Sequence, residues 1–267
     1  MRRLERAADD GYRSELVPGL RASADAERLS EEIAFATGRL ERLSAAPPGL
    51  YAEVASDGDP EERAWLAFQI AYLCPLDADD PFAAIDAART TWASGELPTF
   101  DSVETGPRTA HDPARGSATI EAYKSWAGRA GSQAQAYTGE DSWTPQRRFG
   151  RVFERLALPG FHRDARFDLL VTLGHLGVFE LRAGSLELGG SDEHTSAAKR
   201  AFGIADRLLL ERRAEMLAGA CGVPLEALDL GLFNWGRPPG ERATLGMGPD
   251  SPLDERALGG ARDALGL

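Results

Sequence analysis

The chain has 267 residues, 43% of them hydrophobic and 8% aromatic, which is long enough to bury the core of one large domain or two small ones. No run of about eighteen apolar residues occurs, which excludes a membrane span, and the charged start Met1-Arg2-Arg3-Leu4-Glu5-Arg6 argues against secretion. Two distant cysteines without CxxC spacing, Cys74 and Cys221, predict reduced thiols in a cytoplasmic protein.

The net charge of -12 is unevenly distributed along the chain. Residues 1–143 hold 14 Lys and Arg against 25 Asp and Glu, whereas residues 144–244 hold 14 against 13. The basic residues of the second part are almost all arginine, whose planar guanidinium suits phosphate. This distribution predicts specific or weak DNA contact and argues against avid nonspecific binding.

The first predicted helix covers residues 1–46, capped by Ser23 or Ser30, and a Pro-Pro-Gly break follows it. A second helix is predicted from Glu61 to about Leu73, and it is apolar in its middle except at Gln69. Gln69 has two interpretations. It lies at the surface or bonds to its neighbours, or it reads a base edge.

The stretch Asp77-Ala78-Asp79-Asp80-Pro81-Phe82 has two interpretations. Alternating carboxylates begin calcium loops, but the glycine and the closing glutamate of such a loop are missing. Asp80 as N-cap and Pro81 as first helical residue explain the same stretch and predict a helix from Phe82 to Trp92. Residues 94–117 are rich in Pro, Gly, Thr and Ser, and they form a long irregular segment that is a candidate mobile loop.

The remainder predicts four further helices, one short apolar alternation and one longer apolar segment. The helices cover Ile120–Ala136, a basic amphipathic segment from Pro145 through Arg155, Ala165–Leu176 and Arg207–Ala220, and the apolar segment is Leu225–Trp235. The alternation, Gly184–Gly189, predicts a small strand or an extended turn. The fold class is therefore mainly α, with one helical domain over residues 1–244, organised around residues 145–237, and a C-terminal tail over residues 245–267.

Two glycine-containing turns lie between predicted helices. Leu158-Pro159-Gly160-Phe161-His162-Arg163 has the context of a helix-hairpin-helix, where backbone N–H groups at a helix start meet a phosphate. The usual turn is Leu-Pro-Gly-x-Gly, and His162 replaces its second glycine. The second turn is Phe202-Gly203-Ile204-Ala205-Asp206. Such turns are also common in all-α proteins, so neither is specific alone.

Four segments together resemble one family. They are Arg166-Phe167-Asp168-Leu169-Leu170, the run from Ala197 to Asp206, the run from Leu210 to Ala218, and the run from Val223 to Trp235. The pattern resembles the alpha-glutamyl/putrescinyl thymine pyrophosphorylases, and their third clade is the most similar. The resemblance implies a helix-hairpin-helix, DNA-glycosylase-like helical bundle tied to hypermodified thymine in phage DNA, with relatives that remove modified bases in anti-phage defence.

Base excision would need a carboxylate that stabilises positive charge on the sugar and positions water. No lysine lies near Asp164, where Schiff-base-forming relatives carry one, so a monofunctional enzyme is favoured over a lyase. Asp168, Asp206 and Lys199 are the catalytic candidates. Asp206 at a helix start is also interpreted as a cap, and Lys199 as a surface lysine.

Phosphate contact is predicted at the arginine-rich segments and at both turns, although the basic helix also suits an ordinary solvated face. The predicted DNA-binding residues are Arg147, Arg148, Arg151, Gly160, His162, Arg163, Arg166, Arg200 and Gly203. A pocket for a flipped base is predicted from Gln69, Asp229, Asn234 and Trp235, with Trp235 stacking on the base or, alternatively, lying in the core.

No cofactor or metal signature occurs in the sequence. The four histidines, at positions 111, 162, 175 and 194, lack metal-site spacing, and no Walker-type loop, dinucleotide fingerprint or nucleophile elbow is present. No cofactor, metal or membrane is therefore expected. The resemblance implies a glycosylase-like or thymine-modifying protein that acts on DNA. A non-catalytic helical module that binds a protein partner is the alternative, favoured by the charge of -12; assembly into a homo-oligomer is left open.

Overall fold

The computed structural model describes residues 7–100, 102–248 and 250–267. Within these residues the regular structure is helical throughout, which confirms a mainly α fold. The α-helices are α1 (Ser23–Ala45), α2 (Leu50–Ala55), α3 (Pro60–Leu73), α4 (Ala83–Ala88), α5 (Ala118–Ala130), α6 (Gln133–Thr138), α7 (Pro145–Arg155), α8 (Arg163–His175), α9 (Glu193–Phe202), α10 (Arg207–Cys221), α11 (Leu225–Gly236) and α12 (Glu255–Leu265). A 3-10 turn at Pro113–Arg115 interrupts the predicted irregular loop.

Four helices lie close to their predicted bounds, namely α3, α7, α8 and α10, and the apolar segment Leu225–Trp235 forms α11. Local signals explain this agreement. Asp59 caps α3 and Thr144 caps α7, and in both helices a proline, Pro60 or Pro145, occupies the first helical position. The alternation at Gly184–Gly189 is an extended turn, because the Glu211 carboxylate accepts the backbone N–H groups that a partner strand would bond.

The first predicted helix is wrong in its start. Residues 1–6 lie outside the described residues, and residues 7–22 have no helix. Helix α1 begins at Ser23, whose backbone N–H is accepted by the carboxylate of Asp10. Ser30 lies inside α1 and bonds the carbonyl of Glu27, so it is not a cap.

Two other predicted helices are shorter than expected. Asp80 accepts the Phe82 N–H at 3.3 Å, but α4 begins only at Ala83 and ends at Ala88, so the predicted length is wrong. The helix predicted over Ile120–Ala136 is two helices, α5 and α6. Gly131 separates them with φ +97°, a left-handed conformation that no ordinary helix residue adopts.

Contacts between Cα atoms group the described chain into two compact units. The first, here the α3 unit, contains Arg42–Gly184 and the described part of Ala243–Pro249. Nine of the ten residues from Ala64 to Leu73 are buried, all but Leu66, and α3 packs against α8, α2 and α6. Helix α3 is therefore the central helix of this unit.

The second unit, here the α11 unit, contains the described residues up to Glu41, Ser185–Arg242 and Asp250–Leu267. All residues of α11 from Glu226 to Trp235 are buried, and α11 packs against α9 and α10. The segment predicted as a tail contains α12, which packs against α10. The prediction of one domain over residues 1–244 stays a prediction.

No single helix of the described ranges is long and apolar enough to cross a membrane. Helices α10 and α11 pass that test of length and composition only as a pair bent by 106°.

Candidate functional site

Helix α7 carries three exposed arginines, Arg147, Arg151 and Arg155, which we call the α7 arginine surface. Its opposite face buries Phe149, Val152 and Phe153, as the amphipathic pattern predicts. The guanidinium groups of Arg147 and Arg155 lie 5.9 and 5.1 Å from the ring centroid of Trp143. Cations in this row stay in contact with solvent, where they can meet a polyanion.

Arg148 does not belong to that surface, although it was predicted to bind DNA. Its side chain is 7% exposed and donates to the carbonyl oxygens of Thr138 (2.7 Å) and Glu180 (3.0 Å). Its guanidinium also lies 3.2 Å from the exposed carboxylate of Glu180. Arg148 therefore joins the end of α6 to the segment after α8, and these donors are used inside the protein.

The first predicted turn connects α7 to α8 within the α3 unit. Gly160 has φ +79°, and a Cβ there would lie 2.3 Å from the Thr119 hydroxyl oxygen, so glycine is required. Thr119 donates to the carbonyl of Pro159 at 2.9 Å and fixes the turn. His162 is the exposed N-cap residue of α8, and no side-chain hydrogen bond caps this helix start. Helix starts carry partial positive charge and N–H donors that suit an anion.

Two predicted phosphate-binding arginines of α8 point into the protein. Arg163 is buried, pairs with Asp164 at 3.0 Å and lies 4.6 Å from the Phe167 ring centroid. Arg166 donates to the carbonyl of Phe153 at 3.1 Å and lies 4.2 Å from that residue's ring. Arg166 thereby links α8 to α7, and Arg163 contacts two residues of its own helix.

Asp168, a predicted catalytic residue, forms a buried ion pair with Arg108. Nε and Nη2 of Arg108 lie 2.7 and 2.9 Å from the two carboxylate oxygens, a bidentate geometry. The Arg108 side chain is fully buried and that of Asp168 is 10% exposed. The pair joins the irregular segment before α5 to α8, and sequence analysis missed Arg108 entirely.

The same irregular segment brings His111 to Tyr72, the last but one residue of α3. The Tyr72 hydroxyl oxygen lies 3.2 Å from Nδ1 of His111, and the two rings meet edge to face at 5.5 Å. Burial raises the pKa of Tyr72, so its phenol keeps its proton at ordinary pH. Neither residue was predicted to act in a site, because no spacing in the sequence relates them.

In the α11 unit, Lys199 and Asp206 contact different backbone groups. Lys199 is half-buried, and its Nζ lies 3.4 Å from the carbonyl of Gly190. Exposed Asp206 caps α10, with Oδ1 accepting the Leu209 N–H at 3.0 Å. Gly203 has φ +66° and ends α9 by donating its N–H to the Lys199 carbonyl. A Cβ on Gly203 would lie 3.3 Å from the backbone nitrogen of Gly19, so this second turn is packed against the N-terminal segment.

Arg200 and Trp235 are brought together. The Arg200 guanidinium lies 4.1 Å from the Trp235 ring centroid and donates to the Trp235 carbonyl at 3.3 Å. Arg28 donates to that carbonyl from α1 at 2.6 Å, and the Trp235 indole donates to the carbonyl of Asp25. Since Trp235 is 1% exposed, its contacts are those of a core tryptophan that two arginines stabilise at the end of α11.

The other predicted base-pocket residues are buried as well. Gln69 accepts the Thr90 N–H at 2.9 Å and donates to the Thr90 carbonyl at 3.0 Å, the neighbour-bonded interpretation. Asn234 is 3% exposed. Asp229 is 1% exposed, and its Oδ1 lies 3.6 Å from Nδ1 of His194, a buried pair that sequence analysis did not find. Gln69 belongs to the α3 unit and the others to the α11 unit.

A cleft of about 690 Å³ lies elsewhere in the α3 unit and contains no predicted DNA-binding or catalytic residue. Its charged side chains already have partners. Arg89 pairs with Glu53 and Asp86, and the Glu62 carboxylate accepts the backbone N–H groups of Trp92 and Ala93. Among the described residues, no three His, Cys, Asp or Glu side chains come together in a way that could hold a metal ion.

One family profile matches the chain, the alpha-glutamyl/putrescinyl thymine pyrophosphorylase clade 3, over residues 106–243. The match includes the Arg108–Asp168 pair, the α7 arginine surface and the Gly160 turn, and it runs on through α11. No curated protein and no solved structure matched the chain. The family name links the chain to thymine hypermodification. The matched residues cover more than half of the 267, and the chain belongs to the alpha-glutamyl/putrescinyl thymine pyrophosphorylase clade 3 family.

Proposed function

We propose that this protein binds DNA that carries a hypermodified thymine and cleaves the bond between that base and its sugar. Family membership carries the proposal, since the name of the family specifies a modified thymine. The α7 arginine surface supports it, because three exposed guanidinium groups on one helix suit a phosphate backbone. The uncapped start of α8 at the Gly160 turn adds backbone donors in the same unit.

The chemistry we propose uses a carboxylate to stabilise positive charge on the sugar while water attacks. Asp206 is exposed, and its cap engages Oδ1, so Oδ2 can act while the helix stays capped. Lys199 lies in the same unit and would contact phosphate or substrate. Asp168 would first have to leave Arg108, because both of its oxygens are bonded there. Asp206 is therefore the favoured carboxylate.

The test is incubation of the full chain with phage DNAs that carry different hypermodified pyrimidines, with unmodified DNA as the control. Nucleoside mass spectrometry and an abasic-site probe measure the products. We expect a released base and an abasic site from one modified DNA and nothing from unmodified DNA. Intact nucleosides from every DNA, together with no gel shift at low salt, would overturn the proposal.

A second reaction at the same base is favoured by the word pyrophosphorylase in the family name. A transferase that changes the thymine substituent would leave the base–sugar bond intact. The same experiment separates the two reactions, because substitution gives a nucleoside of new mass and no abasic site.

A non-catalytic binding module is favoured by one surface of α10. Leu208, Leu209 and Met216 are 79%, 50% and 47% exposed, and their spacing places them along one side of the helix. If the chain is inert on every DNA, a photo-cross-linker placed at Met216 would capture a protein partner from cell extract. Replacement of Leu208 by Glu should then abolish that cross-link and leave the fold intact.

A further inference from the structure

The outward side of α10 combines apolar, charged and small residues. It consists of Leu208, Leu209, Arg212, Glu215, Met216 and Gly219, all of them exposed, and we call it the α10 outer face. Their helical spacing places them on one side of α10. The opposite side of α10 packs against α9, α11 and α12 of the same unit. The α10 outer face therefore points away from the core of the α11 unit, and exposed apolar side chains grouped in this way are typical of an interaction surface.

The charges of α10 divide into those that the fold uses and those that it leaves at the surface. Glu211 accepts two backbone N–H groups, and Arg213 donates to the carbonyl of Glu15 at 2.6 Å. Arg212 and Glu215 are exposed, and in the part of the chain that the structure describes neither forms an ion pair. They have opposite charges and lie one turn apart in the middle of the α10 outer face. Both charges can therefore pair with a partner molecule.

The residues of the α10 outer face also differ in size from one end of the helix to the other. Leu208 and Leu209, which are 79% and 50% exposed, lie in the first turn. Gly219 lies near the other end, and a Cβ there would meet nothing within 4 Å among the described residues. The fold itself thus supplies no steric reason for glycine, which is less favourable than alanine inside a helix. The large side chains at one end are complementary in shape to the gap at the other.

We propose that the α10 outer face binds the same face of a second copy of this chain, with the two helices antiparallel and related by a twofold axis near Ala214. In this arrangement Arg212 of each copy lies opposite Glu215 of the other, so that two ion pairs form. The same register places the two leucines of each copy on either side of Gly219 of the other, where the missing side chain lets the helices approach.

The charges decide both the partner and the direction. A parallel pair of α10 helices would set Arg212 against Arg212 and Glu215 against Glu215, and like charges in contact oppose association. An antiparallel second copy removes both conflicts and brings large residues onto small ones, as an interface between two identical surfaces requires. One helix from each copy makes a small interface, so we expect a dissociation constant on the order of 10 µM.

Charge reversal gives a test that is specific for an antiparallel second copy. Arg212→Glu and Glu215→Arg each bring like charges together, and each alone should raise the dissociation constant by roughly ten- to a hundredfold. A mixture of the two single variants restores both ion pairs between unlike copies, so it should form a dimer of near wild-type affinity. The double variant, which carries both substitutions in one chain, should regain that affinity as well. Sedimentation equilibrium of the full chain from about 1 to 300 µM measures these affinities.

The gap at Gly219 can be tested with a matched control. Gly219→Gln fills the gap and should weaken the dimer by roughly tenfold, because the leucines of the other copy then meet a side chain. Gly128→Gln changes an exposed helical glycine of α5, where a Cβ would also meet nothing within 4 Å, and should leave the affinity unchanged. Neither variant should lower the thermal stability, because glutamine favours a helix more than glycine does.

Several outcomes would overturn the proposed dimer. They are a wild-type chain that stays monomeric up to about 300 µM, single charge variants that dimerise as wild type does, and a mixture of folded single variants that stays monomeric. Capture of a different protein by a cross-linker at Met216, while the chain itself stays monomeric, would assign the face to that protein instead. Base release is measured separately, so a dimer that excises nothing would retain this inference and lose the proposed reaction, and an active monomer would do the reverse.

Discussion

Asp168 and Asp206 carry the same functional group in very different surroundings. Both oxygens of Asp168 bond the buried guanidinium of Arg108, whereas exposed Asp206 uses one oxygen to cap α10. Removing charge from the first breaks a buried ion pair, and removing it from the second leaves a good cap if the replacement is asparagine. The two aspartates therefore need different tests of catalysis.

Asp206 can be tested with a matched pair of variants. Asp206→Asn should keep the wild-type free energy of unfolding, because asparagine caps helices as well as aspartate, and should lose base release if the carboxylate is catalytic. Asp206→Ala should lose base release and about 1 kcal/mol of stability. Urea denaturation and mass spectrometry measure the two effects, and full activity in Asp206→Asn would remove Asp206 from the mechanism.

Asp168→Asn should lower stability by about 3–5 kcal/mol, because it breaks a bidentate ion pair with the fully buried Arg108 guanidinium. The double variant Arg108→Met with Asp168→Leu removes both charges and should regain most of that loss. Chemical denaturation of wild type and both variants measures these free energies of unfolding. Equal stability of Asp168→Asn and wild type would mean that the ion pair contributes nothing to folding.

Cys221 predicts a pH dependence of stability. Burial raises the pKa of its thiol from 9.0 to about 11. The unfolded chain therefore loses this proton first, so the stabilising contribution is complete below pH 9 and is lost as pH rises from about 9 to about 11. The free energy of unfolding, measured by denaturation at each pH, should fall less steeply across this range in Cys221→Ala than in wild type. An equal fall with pH in Cys221→Ala and wild type would show that the thiol is equally protonated in the folded and unfolded states.

Single residues were the hardest feature to predict from the sequence. Arg108 and Asp168 are 60 positions apart, and Tyr72 and His111 are 39 apart, so no local spacing relates either pair. Arg148 had the right charge for DNA contact, but its buried position depends on where the carbonyls of Thr138 and Glu180 come to lie. Tertiary contacts, not local preferences, decide which charges face solvent.

At the scale of elements, α7 separates exposed cations from a buried one. Arg147→Ala and Arg151→Ala should each reduce the dependence of DNA affinity on salt by about one phosphate contact and leave stability within about 0.5 kcal/mol. Arg129→Ala, at an exposed arginine of α5, is the matched control and should leave the salt dependence unchanged. Fluorescence anisotropy at several salt concentrations measures the slopes. Salt slopes equal to that of wild type in Arg147→Ala and Arg151→Ala would mean that α7 does not contact DNA.

Helices with strong local signals were predicted well, and others were not. Caps and first-turn prolines define α3 and α7. A glycine is a weaker signal, because Gly38 lies inside the long helix α1 whereas Gly131 separates α5 from α6. Helix α12 was missed because Gly259 and Gly260 weaken its local preference for helix. It forms nevertheless, since Leu258 and Leu265 become buried and α10 packs against it.

At the scale of the whole molecule, residues 250–267 belong to the same unit as most of α1. Tyr12 donates to the Leu265 carbonyl at 2.7 Å, and Arg262 pairs with Glu27. Removal of α12 should therefore abolish cooperative unfolding of the α11 unit, because α10 loses the helix that buries its apolar side. Arg262→Ala alone, which removes one largely exposed ion pair, should cost less than about 1 kcal/mol. Hydrogen exchange of α10 and α11 measures the change, and unaltered protection without α12 would contradict it.

The route of the chain through its two units also has a consequence for synthesis. During synthesis α1 emerges before α2 to α8, and α12, which packs in the unit to which most of α1 belongs, emerges after all of them. The α3 unit can acquire most of its structure while translation continues, since all but a few of its residues are consecutive. Helix α1 must meanwhile keep its apolar side away from other chains. A translational pause just before the codons of α12 should therefore lower the yield of folded protein more than the same pause before the codons of α1.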